Sequence, residues 1–179
     1  MEKYVAFLRG INVGGHHKVP MAKLRKEMSK LGFENIITLL NSGNVIFDST
    51  EKKEKTIEQI LTDHLQTVFG FSVPVLVRKA DTIADLVKND PFQHIEVTKD
   101  IRLYVTFLKE KTDVDIKLPW YSEDKSFRIR EIQDKTVISV LDLSKSKTVK
   151  AMEILGKFFG EGVTTRNWNT IKRMNEKCK

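Results

Sequence analysis

The chain of 179 residues has very little cysteine and no long hydrophobic run. Its single cysteine, Cys178, lies one residue from the C-terminus, which excludes an intrachain disulfide framework and a cysteine-based zinc site. The longest stretch without charged residues, 64–77, is shorter than the roughly 20 apolar residues that a membrane-spanning helix needs. The start, Met1-Glu2-Lys3, is not typical of a secretory signal, so a soluble cytoplasmic protein without a membrane partner is expected.

Acidic residues are the minority among the charged ones, with 24 Asp and Glu against 31 Lys and Arg, for a net charge of +7. The excess is divided: residues 1–50, 101–150 and 151–179 each carry +3, and residues 51–100 carry −2. This balance is compatible with a polyanion or a phosphorylated ligand, but many proteins without such a partner share it. A hydrophobic fraction of 40% suffices for a buried core, and the length fits one domain or two small ones.

The first half of the chain alternates strand and helix patterns. Pro20 suits the first turn of a helix and Gly32 suits its C-terminal cap, whereas Ser42 and Gly43 indicate a hairpin turn. The predicted elements are a strand over 4–8, a helix from Pro20 to Leu31, a hairpin of strands 35–40 and 45–47, a helix over 52–70 and a strand over 71–77. This order, β-α-β-β-α-β, is that of the split βαβ, or ferredoxin-like, unit.

The second half repeats this order of elements without repeating residues. A short helix predicted over 82–88 closes the first half. The elements predicted after it are a strand over 102–108, a hairpin of strands 126–132 and 136–143, a helix over 147–159, a strand over 162–166 and a helix over 167–179. The first helix of this half belongs in 109–125, where the helical pattern is poor. We therefore predict an α+β fold of two tandem ferredoxin-like subdomains, residues 1–90 and 91–179, packed into one globule.

The stretch "RGINVGGHHK", residues 9–18, joins the first strand to the first helix. It differs from the phosphate-binding P-loop because His16 follows Gly15 where that motif needs lysine. It also differs from the dinucleotide-binding motif, because Asn12 stands where the second glycine is needed.

Its glycines still permit two interpretations. A loop with Gly10, Gly14 and Gly15 before a helix can direct backbone N–H groups toward an anion, with Arg9 and Lys18 beside them. The alternative is a tight turn that needs glycine for positive φ angles and leaves both charges in solvent.

Two further polar segments are open to the same pair of interpretations. In "NSGN", residues 41–44, the amide and hydroxyl groups either contact a ligand or close the hairpin turn. In "TTRNWNT", residues 164–170, Arg166 can bind a phosphate or carboxylate, Asn167 can cap the last helix and Trp168 can stack on a base or a sugar. The alternative places Trp168 in the core and pairs Arg166 with a local acid.

The histidines do not indicate a metal site. His16 and His17 are adjacent, which is poor spacing for two ligands of one metal, and no acidic cluster lies near them in sequence. No cysteine or serine motif indicates a nucleophile, and we expect no cofactor. The segment "SKSK", with Lys147 at a predicted helix start, supplies either a cation for a ligand or an ordinary solvated loop charge.

Three segments together, "YVAFLRGINVGGHHKVPM", "NSGNVIF" and "TTRNWNTIKRM", resemble the bacterial family catalogued as domain of unknown function 1697. The resemblance runs from residue 4 to about residue 174 and implies a pair of ferredoxin-like subdomains. The family has no established activity, so the resemblance implies no reaction. The motif positions that it implies are Arg9, Gly10, Asn12, Gly14, Gly15, Lys18, Ser42, Gly43, Asn44, Ser146, Lys147, Thr165, Arg166, Asn167 and Trp168.

Three functions remain open on this evidence. The first is a binding protein for an anionic ligand, a nucleotide or a nucleic acid, held in a cleft where the three segments converge. The second is an enzyme that acts on a small phosphorylated or carboxylated substrate by electrostatic stabilisation. The third is a protein-interaction scaffold in which the motifs only shape turns.

Overall fold

Five helices and two antiparallel sheets form the fold, which is described for residues 1–179 by a computed structural model. The α+β class predicted from the sequence is confirmed. The chain divides into two units. Unit 1 comprises Met1–Lys88 and Arg173–Lys179, and unit 2 comprises Asn89–Lys172.

The N-terminal elements build a four-stranded sheet with helices attached to it. They are β1 (Glu2–Leu8), α1 (Met21–Lys30), β2 (Glu34–Leu39), β3 (Asn44–Ser49), α2 (Glu54–Phe69), β4 (Val75–Lys79) and α3 (Ala80–Asn89). The strand order is β2-β3-β1-β4, and every neighbouring pair is antiparallel. The predicted strand over 71–77 starts later, at Val75, because Pro74 has no N–H to contribute to a ladder.

Alternation along β1 fixes which side chains enter the core of unit 1. Tyr4, Ala6 and Leu8 lie on one face of the strand and are buried in one cluster with Leu24 and Met28 of α1. From α2, Ile57, Leu61 and Leu65 join the same cluster, at the spacing of one helix face. Each large aliphatic side chain buried in this way contributes about 1.5–3 kcal/mol to folding.

The remaining elements are the five strands of a second sheet and two helices. They are β5 (Ile101–Leu108), β6 (Trp120–Tyr121), β7 (Phe127–Gln133), β8 (Thr136–Asp142), α4 (Thr148–Phe159), β9 (Val163–Asn167) and α5 (Trp168–Cys178). The strand order is β6-β7-β8-β5-β9, again with antiparallel neighbours. The core of unit 2 packs Phe127, Ile129 and Leu141 of the sheet against Ala151 and Leu155 of α4.

The segment 109–125 contains no helix. It contributes only the two-residue strand β6, whose Trp120 pairs with Ile129 of β7 and packs its ring against Phe158 at a centroid distance of 5.0 Å. The sequence explains this, because charged and apolar residues alternate from Asp113 to Leu118 and Pro119 follows, a poor helical pattern. Unit 2 therefore has no helix between β5 and β7, where a ferredoxin-like unit has its first helix.

Candidate functional site

The Gly-rich loop of unit 1 contains a small β-hairpin over residues 12–17. The His16 N–H donates to the Val13 carbonyl at 3.0 Å across a two-residue turn. Gly14 and Gly15 fill that turn with φ angles of +58° and +79°, the pair of positive values that a type I′ turn requires. All six residues of the hairpin are exposed, so it projects from unit 1 as a Gly-Gly tip.

Asn12 fastens this hairpin to the rest of unit 1. Its Oδ1 accepts the Val19 N–H at 2.8 Å, and its Nδ2 donates to the Val19 carbonyl at 3.1 Å and to the Asn41 carbonyl at 2.7 Å. Asn12 also has a φ of +55°, which asparagine tolerates better than most residues. The Asn12 amide therefore joins the loop to the 41–44 turn.

That turn is held against the end of β1. The Leu8 N–H donates to the Gly43 carbonyl at 2.7 Å. A Cβ on Gly43 would lie 2.6 Å from the Leu8 Cβ and 2.9 Å from the Ile11 Cδ1, so only glycine fits. Asn44 is buried, and its Nδ2 donates to the Leu39 carbonyl and to the Ser42 Oγ. These contacts shape the hairpin turn.

Cations outnumber acids around this loop. The segment from Arg9 to Lys26 contains five Lys and Arg residues and no Asp or Glu. Arg9 and Lys18 are exposed, as are Lys23 and Lys26 of α1, which share one helix face at a spacing of three residues.

Aromatic rings stand beside these charges. The His17 ring stacks on Phe71 at 4.5 Å with an interplanar angle of 21°, and the Phe71 ring lies 6.1 Å from that of Phe69. The Lys23 ammonium lies 5.0 Å from the Phe69 ring centroid, within the range of a cation–π contact. Both phenylalanines are half-buried. We refer to Arg9, Lys18, Lys23 and Lys26 with the rings of His17, Phe69 and Phe71 as the basic loop surface.

The first acidic residue after this segment has its charge compensated. The Lys30 Nζ lies 2.7 Å from one oxygen of Glu27, and His64 Nε2 lies 3.0 Å from the other. The hydrogen bond from Lys30, with a smaller contribution from His64, lowers the pKa of Glu27 below its ordinary value. Glu27 therefore removes little of the positive potential that the neighbouring exposed lysines create.

The C-terminal segment lies in unit 2. The Arg166 Nη1 donates to the Thr164 Oγ1 at 2.8 Å and to the Thr165 carbonyl at 2.9 Å, and burial lowers the pKa of this guanidinium to about 10. Trp168 is only 4% exposed and packs against Phe92 at a centroid distance of 5.3 Å. Asn167 is exposed at the end of β9.

Both Asn167 and Trp168 line a pocket of about 720 Å³ within unit 2. Lys147 is exposed and occupies the N-cap position of α4, where no side chain caps the helix. No group of three or more His, Cys, Asp and Glu side chains in residues 1–179 has the geometry to hold a metal ion. None of the helices is long and apolar enough to cross a membrane.

The family described as "Protein of unknown function (DUF1697)" matches residues 1–129 of the chain. The chain belongs to this family. The matched residues include the Gly-rich loop and the 41–44 turn, whereas residues 164–174, which also carry the resemblance, lie beyond them. No curated protein matches the sequence.

Among solved structures, the conserved bacterial protein SP0830 from Streptococcus pneumoniae resembles this DUF1697 chain. The two share 24% sequence identity over 99% of each chain, with a TM-score of 0.70. Likeness at this level of identity shows a common fold and assigns no function.

In this DUF1697 chain the predicted site residues of unit 1 fall into two groups. Asn12, Gly43 and Asn44 make internal contacts that hold the loop and the turn together. Arg9 and Lys18 are exposed cations. Lys23, Phe69 and Phe71 were not among the site residues predicted from the sequence. The absence of acids between Arg9 and Lys26 was the signal for the lysine, whereas nothing in the local pattern distinguished the two rings from core residues.

Proposed function

We propose that the protein binds a single-stranded nucleic acid on the basic loop surface of unit 1. The observation that carries the proposal is the run of 18 residues, 9–26, with five Lys and Arg and no acid, on an exposed hairpin and helix start. Lysines and arginines of this kind neutralise phosphates, which supplies most of the sequence-independent affinity for nucleic acids.

The rings on the same surface favour a single strand. Single-strand binding proteins combine a cationic track with aromatic side chains on which bases stack, at about 1–3 kcal/mol for each stacked base. Phe69 and Phe71 are both half-buried. The Phe69 ring contacts the cation of Lys23, and the Phe71 ring stacks on His17. A base that approaches the hairpin would meet aromatic and cationic groups together.

We infer that the scaffold of this surface is ferredoxin-like. The order β1-α1-β2-β3-α2-β4 in unit 1, with antiparallel strands in the order β2-β3-β1-β4, supports this inference. For unit 2 the support is the order β7-β8-β5-β9, with α4 between β8 and β9. The domain limits 1–90 and 91–179, the packing of both halves into one globule and the cytoplasmic location stay predictions.

Fluorescence anisotropy of a fluorescein-labelled 12-mer of deoxythymidine tests the proposal. We expect binding that weakens as the salt concentration rises, with a slope of log K against log salt of about −0.7 for each phosphate neutralised. The double variant Lys18→Ala/Lys23→Ala should bind more weakly and reduce this slope by about 1.4, because it removes two phosphate contacts.

A charge-matched control separates the surface from the net charge. Lys52→Ala/Lys88→Ala removes two exposed lysines from unit 1 as well. The Lys52 carbonyl accepts the Tyr4 hydroxyl near the start of β1, and Tyr4 lies about 17 Å along the strand from Arg9. Equal losses in both double variants, or an affinity that salt does not change, would contradict the proposal.

A further inference from the structure

The pocket of unit 2 is a second candidate site, independent of the basic loop surface. It has a volume of about 720 Å³ and lies among residues 90–98, the start of β5 and the start of α5. Pockets that hold small molecules have volumes of about 300–1,000 Å³.

Positive charge predominates in its lining. Arg102 of β5 and Lys172 of α5 line the pocket, with Asp90 as the carboxylate among the lining residues. One oxygen of Asp90 accepts the Phe92 N–H at 3.2 Å. The Arg102 Nη1 donates to the carbonyls of Lys99, at 2.7 Å, and Ile101, at 3.2 Å. Since a guanidinium has five N–H donors, Arg102 retains donors for a carboxylate or phosphate.

The pocket also has a fixed apolar wall. Phe92 and Trp168 are 3% and 4% exposed, and they pack against each other at a centroid distance of 5.3 Å. Val97 also lines the pocket, but its side chain is 62% exposed. A ligand with an apolar body would cover Val97 and gain the burial that the protein does not provide on its own.

We propose that this pocket binds a small organic anion, in which a carboxylate or phosphate contacts Arg102 and Lys172 and an apolar or aromatic body covers Val97. The amide of Asn167 lines the same pocket and would hydrogen-bond polar atoms of that body. This site uses residues of unit 2 alone, so a test of the pocket is independent of a test of nucleic-acid binding on unit 1.

Trp168 provides the assay, in a Trp120→Phe background in which it is the sole tryptophan. The full chain is titrated with adenosine monophosphate, which joins a phosphate to an aromatic body, and with phenylacetate, which joins a carboxylate to one. Adenosine and inorganic phosphate each lack one part. We expect saturable quenching with a Kd below about 1 mM for at least one of the two anions, and weaker binding of the fragments. The anion that binds more tightly identifies the preferred head group.

Substitutions at Val97 test the sign of the electrostatics without altering the core. Relative to Val97→Asn, Val97→Lys should tighten binding of the anion about fivefold and Val97→Asp should weaken it about fivefold, the effect of one charge about 4 Å away in water. Arg102→Gln should lose at least about tenfold in affinity, and Lys157→Ala, an exposed cation on α4, should lose none.

Two results would overturn the proposal. One is the absence of saturable quenching by either anion up to about 10 mM, ten times the expected upper limit of Kd. The other is equal affinity of the Val97→Lys and Val97→Asp variants, since a ligand held by its charge must distinguish them. Lys18→Ala/Lys23→Ala should leave this binding unchanged, which keeps the result separate from the test of unit 1.

Discussion

Replacing Gly43 by alanine tests whether the 41–44 turn depends on close packing against β1. The φ angle of Gly43 is +77°, and the added Cβ would lie 2.6 Å from the Cβ and 3.3 Å from the Cα of Leu8. Leu8 cannot withdraw easily, because β1 is hydrogen-bonded to β3 on one side and to β4 on the other. Gly15→Ala is the matched control, since Gly15 has a φ of +79° and no atom within 4 Å of its added Cβ.

The two substitutions share the cost of a left-handed backbone and differ in the steric cost. A positive φ costs an L-residue about 1 kcal/mol, and this is the whole effect expected for Gly15→Ala. Overpacking a rigid contact adds about 1–3 kcal/mol, so Gly43→Ala should lose about 2–4 kcal/mol of unfolding free energy. The expected difference between the variants is therefore about 2 kcal/mol.

Urea unfolding followed by far-UV circular dichroism measures this difference. With an m-value of about 3 kcal/mol per molar urea, a difference of about 2 kcal/mol lowers the midpoint of Gly43→Ala by about 0.7 M relative to Gly15→Ala. Coincident midpoints would refute the reasoning, because the two variants would then differ in steric environment without differing in stability. A midpoint of Gly43→Ala equal to that of the wild type would refute the backbone argument as well.

Two further substitutions test single hydrogen-bonding groups. Asn12→Gly keeps the positive φ and removes three hydrogen bonds to Val19 and Asn41, so the free energy of unfolding in the same urea assay should fall by about 2 kcal/mol. A midpoint equal to that of the wild type would show that the amide does not hold the loop. The pKa of Asp124 is lowered by its hydrogen bond with Lys150 and, to a smaller extent, by those with the hydroxyls of Ser122 and Ser126. The ionised carboxylate therefore stabilises the fold above the ordinary aspartate pKa of about 3.9, and this contribution is lost as the pH falls through the lowered pKa of Asp124. Asp124→Asn should therefore reduce the loss of thermal stability between about pH 5 and pH 2, measured by tryptophan fluorescence from unit 2, and an unchanged pH profile would contradict this.

Secondary structure was predictable wherever one periodicity dominated. The helix predicted over 52–70 corresponds to α2, in which Ile57, Leu61 and Leu65 recur at the spacing of one helix face and are buried. Within 109–125 the poor helical pattern agreed with the absence of a helix, but the strand β6 was not predictable, because its two residues owe their conformation to pairing with β7. A two-residue strand has no period of its own, so only its partner defines it.

The candidate site was predictable as a set of positions and not as a set of roles. Asparagine and glycine occur in ligand loops and in turns for the same reason, since both tolerate positive φ and asparagine also bonds to the backbone. The contact of Asn12 with Asn41 spans 29 residues, and no local pattern distinguishes it from an amide that faces a ligand. Trp168 was equally ambiguous until its packing against Phe92 was known, because a helix start and a core position leave the same sequence pattern.

In the Gly-rich loop and the 41–44 turn, different residues hold the backbone in place and carry the exposed charge, which has a functional consequence. The residues that hold the loop in place, Asn12 and Gly43, bond and pack inward, so the exposed cations Arg9 and Lys18 take no part in the contacts that those two residues make. Charge can therefore be removed from the surface with little cost in stability, whereas loss of an anchor should displace the charges together with the hairpin. A variant at Asn12 that weakens nucleic-acid binding must accordingly also lower stability, but a variant at Lys18 must weaken binding while the urea midpoint stays constant. That contrast separates a binding surface from a set of turn-forming residues, because in a mere turn neither substitution would change affinity for an anion.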